Sequence, residues 1–411
     1  MDVLCVDVVI KDKFLCTKNA VLNCTNFLQS NFIRPNTIIS KFGDNKWLTN
    51  YVEYIIIGEQ NAFENKLVEF SQLRIKWFVY TVDKNGEHME IHCDGDDETV
   101  QLAVVRLLPS EEYIRLWESL IYESNIKENL LNYAKTSILY SEKGVDCNII
   151  NCNRVVLLYG PPGTGKTSLC KALAQKLSVR LRPQYERSFL FEINSHSLFS
   201  KWFSESGKLV TKMFGRIIEL LQDPGLLIFV LIDEIESLTH ARQKSMSGGD
   251  PSDSMRVVNA VLTQLDQIRK HPNVFILSTS NITGAIDIAF IDRADIKQFI
   301  GLPGAEGIYK IYHSCIEELQ KAKIISSTDD LLHNYYSSRE HKEEGDVMVI
   351  SNSLYEISKL SVGLSGRRLR KIPFLAHALF LDSDSVDIKT FISAMKQAIV
   401  YSQEDSKNFN E

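Results

Sequence analysis

The stretch Gly160-Pro161-Pro162-Gly163-Thr164-Gly165-Lys166-Thr167 directly follows the apolar run Val155-Val156-Leu157-Leu158-Tyr159. Its spacing, G-x-x-x-x-G-K-[ST] after a strand, is the phosphate-binding loop pattern in the setting that pattern requires. Glycines let the backbone curl so that several N–H groups face one anion, and the helix that follows points its positive end at the same phosphates. Ser168 to Ser178 is the candidate helix. The chain is therefore expected to hold ATP through Gly160, Pro161, Pro162, Gly163, Thr164, Gly165, Lys166, Thr167 and Ser168. In this reading Lys166 reaches the β and γ phosphates, and the Thr167 hydroxyl ligates Mg2+.

A phosphate loop alone does not separate a hydrolase from a nucleotide switch, so a second acidic site decides more. Leu226 to Ile232 is a continuous apolar run of the kind expected for a strand buried on both faces, and it ends at Asp233-Glu234. Asp233 at such a strand end can hold magnesium through its water shell. Glu234, one residue on, is the natural group to orient and deprotonate the attacking water.

At 411 residues the chain exceeds the size at which one hydrophobic core stops growing, so two or three domains are expected. The net charge of -6 gives no general attraction to a polyanion, which argues against a helicase, clamp loader or DNA motor and against direct nucleic-acid binding. Eight cysteines lie scattered without paired spacing, as expected for reduced thiols in a cytosolic or nuclear protein. His88, His92 and Cys93 cluster, but no second ligand pair follows, so a solvated strand edge is expected there rather than zinc. Asp2, Asp7, Lys11 and Asp12 interrupt the apolar residues at the amino terminus, which argues against a secretory signal. The longest apolar run, Leu226 to Ile232, is well short of the about 20 residues that span a bilayer, so no membrane segment is expected.

Along the chain, residues 1–110 lack strand–helix alternation and show β-rich stretches at Tyr51 to Ile57 and Arg74 to Val82. The turn Asp83-Lys84-Asn85-Gly86 predicts a hairpin from the latter into Glu87 to His92. Asp94 to Glu98 reads as a solvated acidic loop or a docking patch. Residues 111–145 form the expected link, helical in pattern from Tyr113 to Tyr140. Within 146–303, apolar strands at Val155 to Tyr159, Phe189 to Ile193, Leu227 to Ile232, Val274 to Ser278 and Ile296 to Ile300 alternate with helical stretches. This predicts an α/β fold with a parallel sheet covered by helices on both faces. Residues 304–411 turn helical, with a polar stretch at 326–346 of unassigned role.

Taken together, the phosphate loop, Asp233-Glu234, the polar strand end Ser278-Thr279-Ser280-Asn281 and Arg293 make residues 146–411 resemble the AAA+ ATPases. Four further strings narrow the resemblance to the pachytene checkpoint protein 2 and thyroid receptor-interacting protein 13 family. They are Ser195 to Val210, Asn281-Ile282-Thr283, Asp292 to Gln298 and Gly363 to Lys371. The first 110 residues match that family only by position. The resemblance implies an AAA+ large domain, a carboxyl-terminal helical lid and a separate mixed α/β amino-terminal domain that binds substrate or adaptor. It also implies a homo-hexamer that spends ATP to return closed HORMA-domain proteins to their open form, with an adaptor delivering them. Work in meiosis and the spindle checkpoint, in nucleus and cytoplasm and on chromosomes, comes with the same resemblance.

Residue roles carry over in the same way. Asn281 resembles the polar sensor that positions the attacking water, although on residue type alone it fits a strand-end cap equally well. Arg293 resembles the arginine finger presented to a neighbouring subunit's γ-phosphate, and Phe290 stands where many relatives carry a first arginine. Arg367 resembles the lid sensor arginine. Trp202-Phe203 falls at the pore-loop aromatic position. By themselves two adjacent aromatics suit core packing and substrate gripping equally, and the resemblance implies gripping. Ser204 stands where many relatives have glycine, and His240 to Pro251 would be a second pore loop. The competing expectations are an AAA+ enzyme with a severing or disaggregating task, and a nucleotide-gated scaffold that hydrolyses little.

Overall fold

The computed structural model describes residues 3–12, 15–29, 37–58, 74–84, 86, 88–94, 99–146, 149–195, 206–237, 251–281, 288–326 and 346–408. These fall into two compact units. The first joins 1–120, 127–158 and 167–298, and the second joins 121–126, 159–166 and 299–411.

The first unit holds two sheets. A 4-stranded sheet near the amino terminus uses β1 (Val3–Ile10), β2 (Thr37–Ile39), β3 (Val52–Ile57) and β4 (Arg74–Tyr80) in the order β2-β3-β1-β4. Leu4, Val6, Val8, Ile55 and Ile57 build its core with Ala20, Cys24 and Leu28 of helix α1 (Thr17–Gln29), and helix α2 (Lys46–Tyr51) adds Leu48. The hairpin expected at Asp83 to Gly86 does not form. β4 pairs in parallel with β1, whereas β5 (His88–Asp94) pairs with β6 (Thr99–Leu108) in the other sheet. The physical reason lies at Asp83, whose N–H donates to Pro109 O (2.7 Å) and whose carbonyl accepts from Glu111 N (3.0 Å). Those bonds tie the chain to the far end of β6, so a turn signal between consecutive strands becomes a crossing between sheets.

The second sheet is 7-stranded. Its order is β11-β7-β10-β9-β8-β6-β5, with β7 (Val155–Tyr159), β8 (Arg187–Asn194), β9 (Leu226–Asp233), β10 (Val274–Ser280) and β11 (Ile296–Phe299). Pairs β8/β9 and β9/β10 are parallel, as alternation predicts. Strands β5 and β6 lie inside the 1–110 span expected as the amino-terminal module, yet β6 runs antiparallel along β8, from Ala103 opposite Ile193 to Leu108 opposite Ser188. Sequence order gave no hint of this, because pairing partners about 85 residues apart leave no local trace. The helix expected over Tyr113 to Tyr140 is also broken. A 3-10 turn (Glu111–Tyr113) and α3 (Leu116–Ser119) precede α4 (Ile126–Glu142). Ser124 and Asn125, residues that favour helix starts, stand just before the new helix.

Every residue of β9 except Asp233, and every residue of β10, is buried, which explains their unbroken apolar character. Helices α5 (Lys166–Arg180), α6 (Ser206–Leu221) and α7 (Pro251–Ile268) supply the rest of this layer, followed by short α8 (Ile288–Ile291). Val210, Phe214 and Ile217 of α6 meet Val258, Val261 and Leu265 of α7 in the core under the sheet.

The second unit is helical after residue 304. It contains α9 (Ala305–Lys321), α10 (Asp346–Leu360), α11 (Gly366–Phe380) and α12 (Ile388–Asn408) around Tyr309, Tyr312, Leu354, Leu369, Phe391 and Met395. Most of the 326–346 stretch lies outside the described residues.

Candidate active site

The loop Gly160–Lys166 and the lid share the second unit. Gly160 takes φ +145°, and a Cβ there would sit 2.2 Å from Ile300 O, so both its backbone angle and its neighbour require glycine. Gly163, at φ +74°, presses against Ser365 and Arg367. Its carbonyl accepts from Arg367 N at 3.1 Å, which sets the first turn of α11 directly on the loop. Ser365 caps that helix through the N–H of Arg368. The Arg367 side chain is exposed beside the loop, and Arg368 and Arg370 are exposed as well. Lys166 is buried, its ammonium donating to Gly160 O (2.9 Å) and Pro161 O (2.7 Å). Neutral carbonyls such as these are contacts a cation can exchange for a charged phosphate at little cost.

Two residues here were not singled out from sequence. The Tyr122 hydroxyl donates to Gly165 O at 3.4 Å, and the Glu123 carboxylate accepts from Gly307 N at 3.0 Å. Their segment lies some forty residues before the loop in the chain, so no motif spacing marks it.

The acidic group belongs to the first unit. The Thr167 hydroxyl donates to Asp233 Oδ1 at 2.9 Å, and the Thr279 hydroxyl donates to the same oxygen. A hydroxyl and a carboxylate meeting in this way form a hard oxygen donor set, which fits magnesium. Glu234 has φ +56°, the left-handed region that non-glycine residues seldom enter. The surroundings over-determine this conformation. Glu234 N donates to Thr279 Oγ1 (3.2 Å), Ile235 N to Thr279 O (3.0 Å), and the buried Ser195 hydroxyl to the carbonyls of Asp233 and Glu234. Asn281 Nδ2 donates to Glu234 Oε1 at 3.2 Å, so the expected sensor touches the expected base. Asn281 N donates to Glu236 Oε1 at 3.0 Å. Ser195 and Glu236 are thus structural members of the group to which residue type assigns no role, and Thr279 belongs to the polar strand end already noted in sequence.

Arg293 is anchored on α7. Its guanidinium grips Asp266 with two bonds, Nε to Oδ1 at 2.9 Å and a terminal nitrogen to Oδ2 at 2.7 Å, and also donates to Ala289 O. The hydrogen bond from Arg293, outweighing partial burial, holds the Asp266 carboxyl below the usual range. Phe290, where many relatives have an arginine, is buried in the core under the sheet. Trp202, Phe203 and residues 240–250 of the second pore loop lie outside the described residues.

A loop-bearing strand, an acid pair two strands away in the sheet, a polar strand end between them and a helical lid together define an AAA ATPase. The family model for ATPases associated with various cellular activities matches residues 156–302, and the one for the TRIP13-like AAA+ ATPase lid C-terminal domain matches 304–403. Pachytene checkpoint protein 2 homolog of Danio rerio is 52% identical over 371 residues, covering 89% of this chain and 86% of that protein. Its Homo sapiens counterpart is 49% identical over 375 residues, covering 89% of this chain and 87% of that protein. The solved structure of C. elegans PCH-2 superposes with a TM-score of 0.80 at 35% identity, over 98% of this chain and 100% of that one. The Trip13-containing structure of the E. coli MS115-1 HORMA:CdnC:Trip13 complex shares the fold, with a TM-score of 0.52 at 16% identity over 71% of this chain and 94% of that one. The chain belongs to the pachytene checkpoint protein 2 family, and it is an ATPase.

Proposed function

We propose that this ATPase remodels HORMA-domain proteins, converting a closed, partner-bound conformer to the open one. What carries the reading is identity of about half over nine-tenths of the chain to pachytene checkpoint protein 2 homologs, together with a fold neighbour solved in complex with a HORMA protein. In the proposed cycle, the loop Gly160–Ser168 binds ATP and Lys166 moves from its carbonyls to the phosphates. Magnesium, when bound by Thr167 and Asp233, neutralises charge on the phosphate oxygens. Glu234 takes a proton from the attacking water, and Asn281 fixes the direction in which that carboxylate points. Arg293 leaves Asp266 to reach a neighbouring subunit of a hexameric ring, where its fixed fork stabilises transition-state charge. Arg367, seated beside Gly163, carries the nucleotide state into the lid. Trp202 and Phe203 grip the client. A conformer can be driven against its equilibrium only by coupling to a free-energy source, which hydrolysis supplies.

The reading extends to an adaptor on the amino-terminal module and to nuclear and cytoplasmic work on chromosomes in meiosis and the spindle checkpoint. The test follows HORMA conformer and phosphate release together, with adaptor present. Conversion that requires ATP and disappears in Glu234→Gln supports remodelling. Hydrolysis without conversion sinks it, and a Trp202→Ala ring that converts client at the normal rate refutes gripping.

A further inference from the structure

At the carboxyl end of β10 the chain leaves the sheet, and the N–H of Asn281 has passed the last residue of that strand, Ser280. Glu236 meets it there. The side chain is 7% exposed, Oε1 accepts the Asn281 N–H at 3.0 Å, and Oε2 is buried with no hydrogen-bond partner among the described residues. A carboxylate kept in this state loses hydration on an oxygen that recovers no bond, which is a poor arrangement for stability. Replacing it relieves that desolvation and leaves the half-buried Asn281 N–H to water. Something other than stability therefore accounts for it.

Asn281 supplies the answer through its other end. The same residue whose backbone is held by Glu236 places its side-chain amide on Glu234 Oε1 at 3.2 Å. Glu234 and Glu236 lie on one turn after β9, and Ser237 N closes that turn onto Glu234 O at 3.0 Å. The result is a closed circuit from Glu234 through Asn281 to Glu236 and back along the chain. A rotation of Asn281 away from Glu236 would carry its amide away from the base. We propose that Glu236 is a positioning residue for ATP hydrolysis, fixing the backbone of Asn281 so that its amide aims the Glu234 carboxylate. The inference rests on the reading of Glu234 as the base.

The test compares Glu236→Gln, which keeps an oxygen acceptor, with Glu236→Met, which keeps the volume and removes it. Steady-state ATPase on the full chain gives kcat and KM, and thermal unfolding gives Tm. The expected result is kcat within about twofold of wild type for Gln and about tenfold lower for Met, with KM unchanged. Tm should be equal or higher in Met, a split that a merely structural role would not produce. In an Asn281→Ala background the Met substitution should cost nothing further, because the circuit is already open. Wild-type kcat in Glu236→Met, or losses that multiply with Asn281→Ala, would overturn the inference. A Met variant with both kcat and Tm reduced would also overturn it, as a packing effect. Glu234→Gln run alongside separates the two readings: full activity there removes the base assignment, whereas an inactive Glu234→Gln beside a fully active Glu236→Met removes this inference alone.

Discussion

The two ends of α5 face the same problem, cations in a protein interior, and solve it in opposite ways. At the amino end Lys166 donates to two backbone carbonyls, and Thr167 shares one carboxylate oxygen with Thr279. At the carboxyl end Lys176 bonds Asp7 Oδ2 (2.8 Å) and Glu118 Oε1 (2.7 Å), while Arg180 grips Asp7 and lies 3.8 Å over the Phe78 ring. Burial alone would push the Asp7 carboxyl up, but Lys176 and Arg180 outweigh it and hold it below the usual range. Burial likewise pulls the Lys176 ammonium down, and Asp7 and Glu118 more than offset it. Gln175 adds two hydrogen bonds to the backbone of Ser110, accepting from its N–H and donating to its carbonyl. One end of the helix thus keeps exchangeable contacts for a ligand, and the other joins the amino-terminal sheet to the rest of the first unit through buried ion pairs. The comparison assigns ligand exchange to the carbonyl-held end and stability to the ion-paired one.

The largest expected effect lies at the functional side. Glu234→Gln should lower the hydrolysis rate by about 10²–10⁴ while leaving nucleotide affinity and unfolding unchanged, as judged by phosphate release and titration with a fluorescent nucleotide. Asp7→Ala should do the reverse. It leaves Lys176 and Arg180 buried beside a single acid, so chemical denaturation should show a loss of about 3–5 kcal/mol, with kcat per folded molecule preserved. A lower kcat at unchanged stability would break the comparison.

The same cluster sets a pH signature. Because the folded pKa of Asp7 is depressed below its ordinary 3.8, its contribution is present above that value and is lost as pH falls below it. The Lys176 contribution, with a folded pKa raised above 10.5, is complete below that value and is lost as pH rises beyond it. Wild type should therefore shed more stability than Asp7→Ala at both extremes, measured by denaturation midpoints across pH. Equal midpoint shifts in the two proteins would contradict the ion-cluster account.

Smaller effects sharpen the contrast further. Asp266→Ala releases Arg293 from a pair whose side chains are 33% and 24% exposed, so solvent screening limits the stability loss to below about 1 kcal/mol. Under the proposed role of Arg293, hydrolysis should hold steady or rise, and a steep fall would show that Asp266 does more than hold that side chain. Arg216→Ala removes an exposed i,i+3 pair with Glu219 on α6 and should shift stability by no more than about 0.5 kcal/mol.

How far the chain announces all this depends on the range of the interaction. The phosphate loop, the apolar β9 ending at Asp233-Glu234 and the helices of the lid are legible because each is set by neighbours within a few residues. Asn281 is half legible: its residue type fits a cap or a sensor, and only its 3.2 Å contact with Glu234 favours the second. Ser195 and Glu236 are ordinary polar residues in sequence, and nothing in their spacing shows that one braces the left-handed turn and the other holds the backbone of Asn281.

By itself the sequence determined that this chain builds a phosphate loop on a buried strand, sets two acids at the end of another, and ends in a helical lid. Periodicity, glycine placement and apolar runs act locally and survive in one dimension. Tertiary structure alone decided that β5 and β6 join the ATPase sheet, that Asp7 reaches across 169 positions to Lys176, and that Glu236 finds Asn281. Those contacts close long loops, whose entropy grows only slowly with length, so their choice rests on which surfaces and charges fit once the core has formed.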